Sequence, residues 1–286
     1  MNWVKTFFWM TILTIVLVIG GNLLLGRAGL VLGLGLAVLM NGTAYFFGDR
    51  MALAAAQAQE VSPQEAPMLH ALADRLAAQY RVPKPRVYVS PDPSPNAFAT
   101  GRNPRHASIV VNQGLLQVLD PEELHGVLAH EFAHVRNRDI LIGSVVAVLA
   151  GAITLLAQIG QFGLFFGGGR DDEDSNPLGI IGVLLFVVLG PLAAVLIQLA
   201  ISRSREYEAD HTGAEVSHDP LALAHALRKL DQAVRVVPSR TAQPAFAHLY
   251  LVNPLSGQTF ANLFSTHPPM DERIRRLEAM ARGERR

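Results

Sequence analysis

A helical membrane protein bearing a polar α+β domain is the fold class this sequence predicts, on three observations. Four long stretches, 7–25, 28–47, 140–161 and 180–201, contain no charged residue. The polar remainder mixes capped helices with short runs of β-branched and aromatic residues. One of those helices carries His130-Glu131-Phe132-Ala133-His134, with two imidazoles four residues apart on one helical face. Composition agrees: 50% of the 286 residues are hydrophobic, 17% are charged, and the mean hydropathy is +0.26.

The uncharged stretches come first. Each suffices to cross a hydrocarbon layer of about 30 Å, which takes about 20 helical residues. The first, led by Lys5, shares features with a signal peptide, but a second follows at once. Ser144, Thr154, Gln158 and Gln161 are expected to face other helices, where they can pair, and Pro191 to kink the fourth span. Four spans put both ends of the chain on one side. That side is flanked by Lys5, Arg50, Arg136, Arg138, Arg203 and Arg205, which marks it as cytoplasmic. The opposite loops hold Arg27, Arg170 and the acidic run Asp171-Asp172-Glu173-Asp174. Net charge is zero, so there is no nucleic-acid footprint, and there is no cysteine to support disulfide or thiolate chemistry.

The chain therefore divides into a membrane hairpin (1–50), a polar segment (51–139), a second membrane hairpin (140–201) and a second polar segment (202–286). In the first polar segment, Ser62-Pro63-Gln64-Glu65 is a capping box that predicts a helix to about Tyr80. Met68, Leu69, Leu72, Leu76 and Tyr80 form its expected buried stripe. Val82-Pro83-Lys84-Pro85 ends it. Residues 86–90 and 107–112 read as strands, and residues 94–101 as a polar turn between them. Asp120-Pro121-Glu122-Glu123 then starts the helix that bears the histidines, with Asp120 as N-cap and Glu123 closing a second capping box.

His130 and His134 can hold one divalent metal ion, and Glu131 borders it as a base able to take a proton from water. Catalytic zinc sites usually take a third protein ligand and keep one position open. Candidates lie just after the fourth span, in Ser202-Arg203-Ser204-Arg205-Glu206-Tyr207-Glu208-Ala209-Asp210-His211. Glu206 and Asp210 share a helical face, so Glu206 can bind metal while Asp210 accepts the second N–H of a ligand histidine. Glu208 and His211 remain open as rival ligands. His70, His106, His125, His218, His225 and His248 have no partner at metal spacing.

These motifs, with Asn137 and Asp139 after the first, and Ser265-Thr266-His267-Pro268-Pro269 followed by Glu272-Arg273-Ile274, resemble the HtpX family. Those proteins are membrane-bound zinc metalloproteases related to the CAAX-prenyl endopeptidases. The resemblance covers nearly the whole chain and implies a zincin-like metalloprotease domain at the cytoplasmic face of the inner membrane, held by four transmembrane helices. It implies His130, His134 and Glu206 as zinc ligands, Asp210 behind them, and Glu131 as catalytic base. His267 is implied as the group that stabilises the oxyanion. Implied substrates are misfolded or damaged membrane proteins, bound as an extended strand through Asn96, Ala97 and Phe98, or along 107–112. A prenyl-peptide endopeptidase and a non-proteolytic membrane protein with a structural zinc are the alternatives.

Overall fold

The computed structural model describes residues 2–149, 203–239, 242–243, 245–254 and 268–284. The expected spans at 140–161, beyond its first ten residues, and at 180–201 lie outside the described residues, as do the acidic run and His267.

Helix α1 (Asn2–Ala55) is two arms joined at Gly26, whose φ of 61° and ψ of −142° suit a residue without a Cβ. Asn41 donates from Nδ2 to the Thr14 hydroxyl at 2.9 Å and to the Met10 carbonyl at 3.3 Å, so the second arm folds back on the first. A Cβ at Gly33 would lie 2.3 Å from the Leu17 carbonyl oxygen, which is why the arms can close this tightly. Outward, the second arm exposes Val31, Leu32, Val38, Leu39, Phe46 and Phe47. The helix Gly26–Ala55 is, among the described residues, the one long and apolar enough to cross a membrane by length and composition.

After β1 (Gln59–Glu60), Ser62 and Glu65 form the reciprocal hydrogen bonds of a capping box. The helix does not start there, however. Pro67 restrains Ala66 to φ −135°, outside the helical region, and α2 (Pro67–Tyr80) begins at the proline. Leu69, Ala73, Leu76, Ala77 and Tyr80 are its buried face, while Met68, expected in that stripe, is exposed.

Strands β2 (Arg86–Ser90), β3 (Ala97–Gly101) and β4 (Ala107–Asn112) complete a sheet in the order β1-β2-β4-β3. The segment read as a turn is thus largely strand β3, antiparallel to β4, with the reversal confined to Arg102–His106. β4 is paired on both sides, parallel to β2 and antiparallel to β3, which removes 107–112 as a free edge for substrate. Alternation gives the sheet two apolar faces. Val87, Ala99, Ile109 and Val111 join the core with α2 and the histidine helix. Tyr88, Phe98 and Val110 pack instead with Met40 and Ala44 of α1 and with Ile142 and Val145. The sheet therefore bolts the polar domain onto the apolar helices.

Helix α3 (Gln113–Val118) leads to α4 (Pro121–Asn137), which starts with the predicted Asp120–Glu123 capping box. Phe132, fully buried, stacks on Tyr80 at 5.9 Å. Arg138, at φ 60°, ends α4 and turns the chain into α5 (Asp139–Leu149). After the undescribed stretch come α6 (Arg203–Ser217), α7 (Pro220–Val236) and α8 (Met270–Ala281). Gly126 lets α4 approach α7, where a Cβ would meet the Leu223 backbone at 3.0 Å.

The Asp120→Ala variant removes the N-cap acceptor of Glu123 N–H and should lower stability by about 1 kcal/mol. Thermal melting in detergent should show a loss of about 2–4 °C. An unchanged melting point would deny the cap its role.

Candidate metal centre

α4 and α6 meet backbone to backbone. A Cβ on Gly213 would stand 3.0 Å from the His130 nitrogen, so α6 can lie against the first histidine only because residue 213 is glycine. This contact brings Glu206, one turn into α6, to the histidine pair. His130 Nε2 and His134 Nε2 are 3.1 Å apart. Glu206 carboxylate oxygens lie 3.7 Å from the first and 3.5 Å from the second. Ligands at about 2.0–2.1 Å from a tetrahedral ion stand about 3.4 Å from one another, so these separations fit one metal ion. Among the described residues, His130, His134 and Glu206 are the group able to hold a metal. Glu208 and His211 are exposed and point elsewhere, His211 toward Glu215.

Both histidines are held from behind. His130 Nδ1 lies 2.9 Å from Asp210 Oδ1, and His134 Nδ1 lies 3.0 Å from Asp139 Oδ2. Such carboxylates set which ring nitrogen faces the metal and raise its basicity. Asp210 is itself gripped by Arg273, whose Nε and Nη2 each donate at 2.7 Å in a bidentate fork. Arg273 is fully buried, and its Nη1 donates to the Leu251 carbonyl at 3.2 Å and lies 3.9 Å from Glu206. Arg205 stands 3.9 Å from Asp139.

Electrostatics favour a cation here. Four carboxylates, Glu131, Asp139, Glu206 and Asp210, crowd a site that offers two guanidinium groups, Arg205 and Arg273. A divalent ion supplies the missing positive charge. Burial pushes the Glu131 carboxyl up, with the nearby imidazoles opposing it. Burial alone would lower His134, but Glu206 and Asp139 push it up to about 9. Burial would raise Asp210, yet the Arg273 guanidinium holds it well below the usual carboxylate range. An ion bound here would compete with the proton that these carboxylates favour on His134.

A small recess of about 50 Å³ opens beside the metal group, lined by Glu131, His134, Asp139, Arg205 and Glu206 together with Ala99, Ile140, Gly143, His248 and Leu249. Asn96, Ala97 and Phe98 do not line it. All three are buried, and Asn96 donates to the Val252 carbonyl at 2.6 Å. Phe98 packs edge-on against Tyr250 at 4.9 Å. Leu251 N–H donates to the Ala97 carbonyl, so that end of the β3 edge is already covered. By alternation, Ala99 turns its N–H and C=O to the same outer edge, beside the metal group.

Sequence reasoning left Arg273 and Asp139 without roles, and set His248 aside. Arg273 acts on a carboxylate 63 residues away, a pairing that no local spacing records. Asp139 meets His134 only because Arg138, a non-glycine residue, takes a left-handed turn.

Asp210→Asn should weaken metal binding about 10–100-fold, because it frees the His130 ring and strands Arg273 without its charge partner. Competition with a chelator measures this. Unchanged affinity would show that the buried fork does not hold the ligand.

A family model described as peptidase family M48 matches residues 63–281. A "Protease HtpX homolog" from Persephonella marina is 50% identical over 285 residues, covering 99% of this chain and 98% of that one. One from Syntrophobacter fumaroxidans is 51% identical over 270 residues (94% and 95%), and one from Pyrococcus abyssi is 49% identical over 279 (98% and 96%). Among solved structures, the crystal structure of S. mikatae Ste24p is a looser match, with a TM-score of 0.42 and 20% identity over 86% of this chain and 64% of that one. With its HExxH helix, a carboxylate that joins the two histidines, and relatives of similar length at about half identity, the chain belongs to peptidase family M48 as a metalloprotease of the HtpX type.

Proposed function

We infer that this protein is a zinc-dependent endopeptidase of the inner (plasma) membrane, with its active site at the cytoplasmic face, that cleaves misfolded or damaged membrane proteins. The observation that carries this reading is the spacing of His130, His134 and Glu206 on one tetrahedral face, with buried Glu131 beside them. Two imidazoles and a carboxylate suit zinc. A zinc ion bound there would polarise the scissile carbonyl and make water acidic enough to attack near neutral pH. Glu131 takes the proton of the attacking water and delivers it to the leaving amine. Its burial, which raises its proton affinity, suits both halves of that shuttle. Asp210 and Asp139 hold the two rings in register, and Arg273 holds Asp210. His267 is assigned to the oxyanion on the family resemblance alone.

The substrate strand is placed on the outer edge of β3. Asn96, Ala97 and Phe98 contribute by fixing that strand, through the bonds to Val252 and Leu251 and the packing on Tyr250, while Ala99 offers its backbone. Backbone pairing demands little of sequence, which suits an enzyme that handles many unfolded segments. The two polar segments, 51–139 and 202–286, are read as one catalytic domain interrupted by a membrane hairpin. The exposed apolar face of Gly26–Ala55 supports contact with a lipid bilayer, and Arg50, Arg136, Arg138, Arg203 and Arg205 support the cytoplasmic side. α5 starts at Asp139, the residue that braces His134, so the active site stands at the membrane surface in this reading.

Glu131→Gln should keep zinc and lose cleavage of casein or of an unfolded membrane protein by about 10²–10⁴-fold. Metal content and proteolysis are measured together on the purified protein in detergent. Retained cleavage would refute the base, and a wild-type protein that holds zinc, cuts nothing and is little changed by the substitution would favour a structural metal. Preferential cleavage of a prenylated peptide would favour the narrower endopeptidase. In intact cells, tags at residues 57 and 218 should be shielded from external protease, and their digestion would reverse the assigned face.

A further inference from the structure

We propose that the recess beside the metal group is a size filter that admits only Gly, Ala or Ser at one of the two positions flanking the scissile bond, with Gly143 and Leu249 setting the limit. The inference rests on the endopeptidase reading and adds a substrate preference to it.

The recess lies where a substrate on β3 must place a side chain. Ala99 lines it from the strand edge, and Glu131, His134 and Glu206 line it from the metal side. A residue paired with Ala99 and presenting its carbonyl to the metal group would direct a neighbouring side chain into this recess, whose lining includes Ile140, Gly143 and Leu249. The space there is about 50 Å³, and the ion and the attacking water need part of it. For comparison, an apolar cavity of about 150 Å³ is what accepts a benzene ring. A methyl or hydroxymethyl group fits, whereas a leucyl or phenyl group does not.

Two features set the limit. First, the walls stand close together: a Cβ at Gly143 would lie 2.8 Å from Cδ2 at the end of the half-buried Leu249 side chain. Second, both walls are anchored. On the α5 side, the Ser144 hydroxyl donates to the Ile140 carbonyl at 2.8 Å and pairs with the Thr100 hydroxyl at 2.9 Å. On the other side, the turn Ala247–Leu249 is tied to α5 through His248 Nε2 and the Gly143 carbonyl at 3.1 Å, and to β3 through Leu251 and Ala97. The strand that would present the substrate and the two walls that would measure it are thus cross-linked by hydrogen bonds. Moving either backbone wall requires breaking these bonds, so a large side chain can enter only by displacing the Leu249 side chain, at a cost that disfavours it.

The test maps cleavage sites by mass spectrometry, using the full-length zinc-loaded protein in detergent on casein and on a peptide library. Wild type should favour Gly, Ala or Ser over Leu and Phe at one flanking position by at least about tenfold. Leu249→Ala removes a wall and should bring that ratio to within about threefold, with little change at the opposite flank. Gly143→Ala narrows the recess and should shift the preference from Ala and Ser toward Gly, an independent readout should the first variant fail to fold. Large residues used equally at both flanks by wild type, or a Leu249→Ala profile identical to wild type, overturns the filter. A wild-type protein that holds zinc and cuts nothing overturns the endopeptidase reading itself, and the filter with it.

Discussion

The approach of α6 to α4 is the constraint on which the rest of the molecule depends. Two helices from separate polar segments must touch at the level of the main chain, or Glu206 falls short of the imidazoles. Gly213 permits the contact, and Gly126 does the same for α7 on another face of α4. The core is organised around this closeness. Phe132, Leu128 and Val127 fill the inner face of α4 between Tyr80 and Leu223, and Tyr80 donates its hydroxyl to the Ala129 carbonyl, one residue before the first ligand. Burying the helix so completely leaves little freedom for the histidines to wander.

The same closeness creates an electrostatic problem that the chemistry uses. Carboxylates packed at this density repel one another in a medium of low polarity, and each alone would rather be protonated. Arg273 offsets part of that repulsion from within the core, where its charge would be costly without a partner. It binds Asp210 with both arms of its fork and spends a third donor on a carbonyl. Among the described residues Glu131 receives no such partner, and burial keeps its proton affinity high. One set of surroundings thus holds one carboxyl as a fixed anion and raises the proton affinity of another.

Much of this was legible in the chain, for identifiable reasons. Asp120, Pro121 and Glu123 marked the start of α4 because a capping box is local and needs no tertiary help. The i, i+4 histidines were legible because helical spacing fixes which side chains share a face, whereas Glu206 was set apart from Glu208 and His211 only by the family resemblance. Where reading failed, longer-range forces decided. Ser62 and Glu65 formed their box, yet Pro67 set the helix start. Ala97–Gly101 looked like a turn because its residues are small, and became a strand because β4 and Leu251 give its backbone partners on both sides. Met68 fits the stripe by spacing but ends exposed at the helix's first turn. His248 was passed over because its place beside the metal group comes from a turn far along the chain.

Arg273 has a consequence for the birth of the enzyme. Ribosomes deliver the histidines first, Asp210 later, and the guanidinium that neutralises it 63 residues later still. Until that last helix emerges, Asp210 lacks its charge partner and the His130 ring lacks a fixed brace. Completion of the metal group is thereby tied to the order of synthesis, because the brace that fixes Asp210 arrives with the last described helix.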